Sequence, residues 1–181
     1  MATVDVSIRP LEGTDAPTVQ RYAADERVAR TTTIPQPYPD DGGEQFVKKC
    51  LEAHERGRLF PFAILADGEM IGVLELKMVK DEDRTVQCDY GIASSHWGKG
   101  ITTRAVALAL GYAFGELDME VVNSGCLARN PASARVLEKN GFTEIGQFIY
   151  DLPKFKGETI RRFRLTKQEW LQRKPGVEER C

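Results

Sequence analysis

The segment Ser95-His96-Trp97-Gly98-Lys99-Gly100-Ile101-Thr102-Thr103-Arg104 is the part of this chain best suited to holding an anion. It sits where a strand-like run ending near Ile92 gives way to a long helical pattern. Free N–H groups at a helix start point outward, and the helix dipole favours negative charge there. Gly98 and Gly100 carry no side chains, so backbone can approach a phosphate closely. Thr102 and Thr103 add hydroxyl donors, while Lys99 and Arg104 add charge. Two familiar phosphate loops do not fit. A Walker loop needs G-x-x-x-x-G-K-[ST], but Ala93 stands at its first glycine and Gly100 where its hydroxyl should be. A dinucleotide fingerprint needs a third glycine, and Thr103 occupies that place. Taken alone, the segment also fits a plain glycine turn joining strand to helix.

The elements that would position it follow from periodicity. Val4, Val6 and Ile8 alternate with polar residues as a half-buried strand ending at Pro10. Thr14 or Asp15 caps a helix from about Ala16 to Val28, with Pro17 in its first turn. Pro35, Pro37 and Pro39 then forbid regular structure. Asp40 or Asp41 restarts a helix on the apolar stripe Phe46, Val47, Cys50 and Leu51. Phe60–Leu65, Met70–Val79 and Thr85–Ile92 form an antiparallel meander turned at Asp67-Gly68 and Asp81-Glu82-Asp83. Gly98–Leu117 is a helix apolar on more than one side, hence buried. Met119–Leu127 is a strand. Asn130 or Ser133 starts a helix that Gly141 ends, and Phe142–Tyr150 pairs with Thr159–Leu165 as a last hairpin. The strand-helix-strand unit from Thr85 to Leu127 implies one parallel pair. The reading is an α/β (α+β) chain: a mixed, mostly antiparallel central sheet of about seven strands flanked by about four helices.

Composition narrows the function. The 181 residues favour one domain, taken as 1–170 with a polar C-terminal tail over 171–181. With 41% hydrophobic and 29% charged residues the balance is that of a globular protein. A formal charge of −2, with no interleaved basic and aromatic residues, argues against a nucleic-acid partner. No apolar run reaches the roughly 20 residues of a membrane span, and the start carries Asp5 and Arg9 rather than a leader's apolar stretch. Four scattered cysteines and two histidines offer no metal-ligand spacing, and are read as free thiols of a cytoplasmic protein.

The glycine segment resembles the acetyl-CoA motif of the GNAT superfamily of N-acetyltransferases, R/Q-x-x-G-x-G/A followed by a helix. Gly98 and Gly100 match; Ser95 stands where Arg or Gln would be. Trp97 to Phe114 is similar to the Rim-type branch, which acetylates ribosomal-protein N-termini and carries W-G-K-G-x-x-T. Asn130 to Phe142 is close to the family's N-x-x-S-x-x-x-L-E-K-x-G-F. Ile8 to Leu11 and the Pro-rich stretch Ile34 to Tyr38 add weaker likenesses. The resemblance spans about residues 6 to 170. It implies the acyl-CoA N-acyltransferase fold and acetyl transfer from acetyl-CoA to an amine, attacked directly in a ternary complex. The amine would be a protein N-terminus or a small molecule, such as an antibiotic or polyamine; a non-catalytic acyl-CoA sensor is the alternative. It implies pyrophosphate on the N–H groups of the run Trp97, Gly98, Lys99, Gly100, Ile101, Thr102 and Thr103. It implies the pantetheine arm beside Tyr90-Gly91-Ile92, a contact from Asn130, and Arg129, Arg135 or Lys139 near the 3′-phosphate. Monomer and homodimer stay open.

Acyl transfer to an amine needs a neutral nucleophile, an oxyanion donor and a fate for the thiolate. A backbone N–H near Ile92 is the natural donor. Ser133 is the candidate acid for the leaving sulfur, or else a helix cap; Leu137 stands where the wider family often has a Tyr. Asp89 and Glu75, on neighbouring strands, are the candidate bases, each alternatively a solvated strand residue. Ile34 and Tyr38 are expected to shape the acceptor pocket, with Tyr38 otherwise a loop anchor.

Overall fold

The computed structural model describes residues 4–173. Seven strands form one sheet: β1 (Val6–Pro10), β2 (Leu59–Ala66), β3 (Glu69–Met78), β4 (Thr85–Ile92), β5 (Val121–Leu127), β6 (Thr143–Ile149) and β7 (Thr159–Thr166), in the order β1-β2-β3-β4-β5-β7-β6. Only β4 and β5 run parallel. The β2–β3 hairpin turns on Asp67 and Gly68, both at positive φ (51° and 83°), as a tight two-residue turn requires. Among the described residues the α-helices are α1 (Ala16–Ala23), α2 (Glu26–Ala29), α3 (Gly42–Glu55), α4 (Ile101–Gly111), α5 (Pro131–Lys139) and α6 (Lys167–Arg173).

That is two more helices than the periodicity suggested. The single helix expected over Ala16–Val28 breaks at Ala24, because Asp25 turns back to accept the Arg27 N–H and starts α2. Asp15 caps nothing in α1 directly; its carboxylate takes the Arg9 guanidinium fork (2.7 and 2.8 Å) and the Glu12 N–H, pinning β1 to the helix start. The helix after the glycine segment begins at Ile101, and beyond Gly111 it widens into a π turn over Tyr112–Glu116, closed by Leu117 N–H on the Tyr112 carbonyl. The residues 171–173, read as the start of a tail, belong to α6, whose Trp170 packs on Phe114 of its own domain at 5.2 Å between ring centroids. Cys181 and the rest of that tail lie outside the described residues.

Both faces of the sheet's first half are covered, which is why β2 and β3 read as nearly continuous apolar runs. One face packs under α1 and α3 through Val19, Tyr22, Val47, Ala63 and Val73. The other packs under α4 and α5 through Leu74, Leu76, Ala105, Leu110 and Leu137. Over β5, β7 and β6 no helix of the described residues covers the α1/α3 face, and Arg162, Arg164 and Phe148 stand exposed there.

Candidate functional site

The site begins where two strands part. β4 and β5 pair through Thr85↔Val121, Val86↔Val122 and Gln87↔Asn123 and no further. Ser124 closes the angle: its buried hydroxyl donates to the Cys88 carbonyl at 2.8 Å, a side chain standing in for the next ladder bond. Beyond it β4 has a free edge. Ala93 N–H bonds to the Ile71 carbonyl, and in that register Gly91 and Asp89 direct their backbone groups to β3. Tyr90 and Ile92 direct theirs into the gap. Of these, the Ile92 carbonyl is taken by the Trp97 indole N–H at 3.1 Å. Trp97 thereby latches the glycine segment back onto β4.

Gly98 and Gly100 sit at φ 75° and 72°, a left-handed conformation that glycine adopts without strain, and a Cβ at either would project into open space. The backbone thus turns sharply, and the first N–H groups of α4, from Ile101 to Thr103, face an uncrowded mouth. Lys99 is exposed beside it. Arg104 does not contribute: its guanidinium turns away to the Val4 carbonyl. Asn140 steadies the mouth by donating to the Thr103 carbonyl at 3.1 Å, which ties α5 to α4.

Across the gap stands α5. Asn130 is its cap, accepting the Ser133 N–H at 3.3 Å. The Ser133 hydroxyl is therefore not the cap. It meets the Tyr90 hydroxyl at 2.9 Å, and that phenol also donates to the Ser133 carbonyl. Burial raises the Tyr90 pKa far above the ordinary tyrosine range, so the phenol stays protonated. No tyrosine comes from α5, where Leu137 is fully buried in the core, but one arrives from β4. Arg135 and Lys139 line the cleft on this side. Arg129 does not; it pairs with Glu158 and donates to the Arg30 carbonyl.

On the opposite face of β4 lie the two carboxylates. Glu75 and Asp89 are cross-strand partners, and Lys77 bridges them at 3.5 and 3.1 Å. Gln87 donates to the second Asp89 oxygen at 3.2 Å. Glu75 is the enclosed member, with 15% of its side chain exposed against 42% for Asp89. Burial pushes the Glu75 carboxyl above the usual carboxylate range, reinforced by Asp89 and opposed by Lys77. The neighbouring Cys50 thiol, against Glu75, is pushed up to about 12, mainly by burial. Lys77 went unnoticed in the sequence, although its place two residues after Glu75 puts it on the same strand face.

Ile34 and Tyr38 roof this floor. The Tyr38 ring packs on Gly42, where any Cβ would come within 2.7 Å of it, so it anchors its loop as well as lining the cleft. The same loop is clasped from the far side of the sheet. Lys154, between β6 and β7, donates to the carbonyls of Ala29, Thr32 and Ile34. Nothing in the sequence pairs positions so distant.

These parts line one continuous cleft of about 1270 Å³, larger than the roughly 300–1,000 Å³ of ordinary ligand pockets. A glycine-turned helix start, a free strand edge and a floor with carboxylates suit a long ligand with a phosphate end, a peptide-like arm and a second reactant at its tip. Acetyl-CoA has that form.

Residues 5–143 match the family model described as an acetyltransferase (GNAT) domain. The chain is 31% identical over 151 residues to the probable N-acetyltransferase YjcK of Bacillus subtilis (strain 168), covering 78% of this chain and 82% of that protein. It is 26% identical over 148 residues to spermidine N(1)-acetyltransferase of Escherichia coli (strain K12), covering 81% and 77%. Among solved structures, Mycobacterium smegmatis RimJ in complex with CoA-disulfide is similar at a TM-score of 0.80 and 25% identity, over 91% of this chain and 83% of that one. With a family model matched over most of its length, the chain belongs to the GNAT acetyltransferases and is an acetyl-CoA-dependent N-acetyltransferase.

Proposed function

We propose that the acceptor is the α-amine of a protein or peptide N-terminus, entering over the floor of Glu75, Lys77 and Asp89 beneath Ile34 and Tyr38. The observation that carries this reading is Lys77. It pairs with both floor carboxylates at once and leaves neither free, whereas a polyamine would need acids free to receive its several charges. An α-amine, with a pKa near 8, also needs less help to become neutral than an alkylamine near 10.4. The unbridged thiols of Cys50, Cys88 and Cys126 support the cytoplasm as compartment.

Bound acetyl-CoA supplies an activated acetyl group and a thiolate leaving group; the remaining work falls to the chain's own residues. The N–H groups from Gly98 to Thr103 receive the phosphates, and Tyr90 and Ile92 offer the free edge of β4 to the arm. The Ile92 N–H is placed to donate to an acyl oxygen. Asp89, the more exposed carboxylate, takes the acceptor's proton directly or through water, with Lys77 and Glu75 fixing its position. The Ser133 hydroxyl donates a hydrogen bond to the departing sulfur, and any proton it passes on is replaced through the Tyr90 hydroxyl and water.

Thiol release with a panel of amines tests the acceptor class. N-terminal peptides should exceed spermidine by about 100-fold in kcat/KM, and the reverse order would establish the small-amine reading that the spermidine relative favours. The base has its own signature. Asp89→Asn should lower kcat/KM about tenfold at pH 7. The deficit should narrow above pH 8, where an α-amine is already neutral without a base. An Asn variant with the wild-type pH–rate profile would remove Asp89 from the chemistry.

A further inference from the structure

Strand β7 carries arginines at 161, 162 and 164, and they are treated very differently. Arg161 lies on the covered face over the Phe163 ring and pairs with Glu144 at 2.7 Å and Glu138 at 3.3 Å. Arg164 donates to the Asn123 side chain at 3.1 Å. Arg162 has no hydrogen-bond or ion-pair partner among the described residues, yet it lines the cleft. Its cross-strand neighbours are Gly125 on β5 and Gly146 on β6. Neither supplies a side chain, so the guanidinium stands in a clearing on the sheet floor. A planar fork with five donors and no anion is matched by a carboxylate, which it can bind through two parallel bonds.

Its position relative to the chemistry follows from the register. Gln87 pairs with Asn123, so Gly125 lies level with Asp89, and Arg162 is opposite Gly125. Arg162 is thus at least two strand spacings from Asp89, a minimum of about 10 Å, since β4 and β5 have parted there. That is within reach of the carboxylate of an acidic side chain at the second or third residue of an extended peptide whose terminal nitrogen lies at Asp89, with the Arg162 side chain spanning the remainder. The third lining carboxylate, Glu82, has no ion-pair partner among the described residues and is on the β3–β4 turn, at the end of β4 away from the gap.

We infer that Arg162 selects acceptors by pairing with an acidic side chain at the second or third residue of the incoming N-terminus. The inference rests on the N-terminal reading above. The preferred substrate is then an acidic N-terminal segment, and a polycation is disfavoured twice, by Arg162 and by Lys77.

Matched peptides with Glu or Gln at residues two and three would be assayed by thiol release with the full chain. Wild type should favour the Glu peptide at least tenfold in kcat/KM, mainly through KM, and the preference should shrink as salt is raised. Arg162→Gln should cut the Glu peptide about tenfold more than the Gln peptide, and Arg162→Glu should shift preference to a Lys-bearing peptide. Turnover without acidic preference in wild type, or equal losses on both peptides in Arg162→Gln, overturns the inference alone. Failure to turn over any N-terminal peptide while acetyl-CoA still binds overturns the N-terminal reading and this inference with it.

Discussion

Gly100→Trp should raise the dissociation constant for acetyl-CoA by at least 100-fold, measured by calorimetry, while the protein stays folded. Two consequences of the substitution can be separated. Gly100 holds φ 72°, so any L-residue there bears the left-handed penalty, about 1–2 kcal/mol. For a chain of this length that lowers Tm by only a few degrees, roughly 2–8 °C. The indole itself meets no protein atom near its Cβ and extends into the open mouth at the start of α4. If phosphates lie there, the ring displaces them and removes the charge-assisted N–H contacts together; a 100-fold loss corresponds to about 2.7 kcal/mol. Gly57→Trp is the control. Gly57 has φ 67° and equally open surroundings, but it lies past the end of α3, away from the cleft. It should lose similar thermal stability and keep wild-type affinity. A Gly100→Trp protein that binds acetyl-CoA normally would place the cosubstrate elsewhere.

The backbone geometry of the glycine segment is legible in the sequence and the cluster of Glu75, Lys77 and Asp89 is not, for a physical reason. A phosphate cradle is local. It uses consecutive N–H groups of one helix start, so the run Trp97 to Thr103 carries its whole description in sequence order. The same holds for the Asp67-Gly68 turn and for the strand periods, which put seven strands in the right places, whereas local pattern leaves the cap of α5 open between Asn130 and Ser133. The floor is assembled by register instead. Lys77 bridges Glu75 and Asp89 only because β3 and β4 pair at those residues. Ser124 closes the gap only because β5 departs there. Lys154 reaches a loop some 120 positions earlier. Arg104 shows the converse: its charge stands next to the glycine segment in sequence, while in space its guanidinium turns to the Val4 carbonyl, and Arg129, one of three candidates for the 3′-phosphate, pairs with Glu158 and the Arg30 carbonyl. The Ala16–Val28 helix was overextended because Asp25 can serve a helix either as an interior residue or as a new cap, and periodicity does not distinguish them.

Ser133→Ala should lower kcat about 100-fold and leave the KM for acetyl-CoA within about twofold, the range expected when a positioned acid is removed. The fold gives this substitution unusual clarity. A serine at a helix start ordinarily doubles as a cap, and alanine there costs about 1 kcal/mol. Here Asn130 caps α5 by accepting the Ser133 backbone N–H, which alanine retains, so stability should barely change. What is lost is the hydroxyl held at 2.9 Å from Tyr90. Because burial keeps the phenol protonated, Tyr90 can give its one proton to the Ser133 hydroxyl oxygen at 2.9 Å in place of the Ser133 carbonyl at 3.4 Å, which leaves the serine proton to point into the gap. Tyr90→Phe should therefore lower kcat by a smaller factor, about tenfold, through lost orientation. The double variant should be no worse than Ser133→Ala alone, since a phenol that acts through the serine has nothing to orient once the serine is gone. Strictly additive losses would mean that Tyr90 touches the reacting sulfur itself. An unchanged kcat in Ser133→Ala would leave thiolate departure unassisted by this chain, with acceleration resting on positioning and on the N–H groups of the β4 edge.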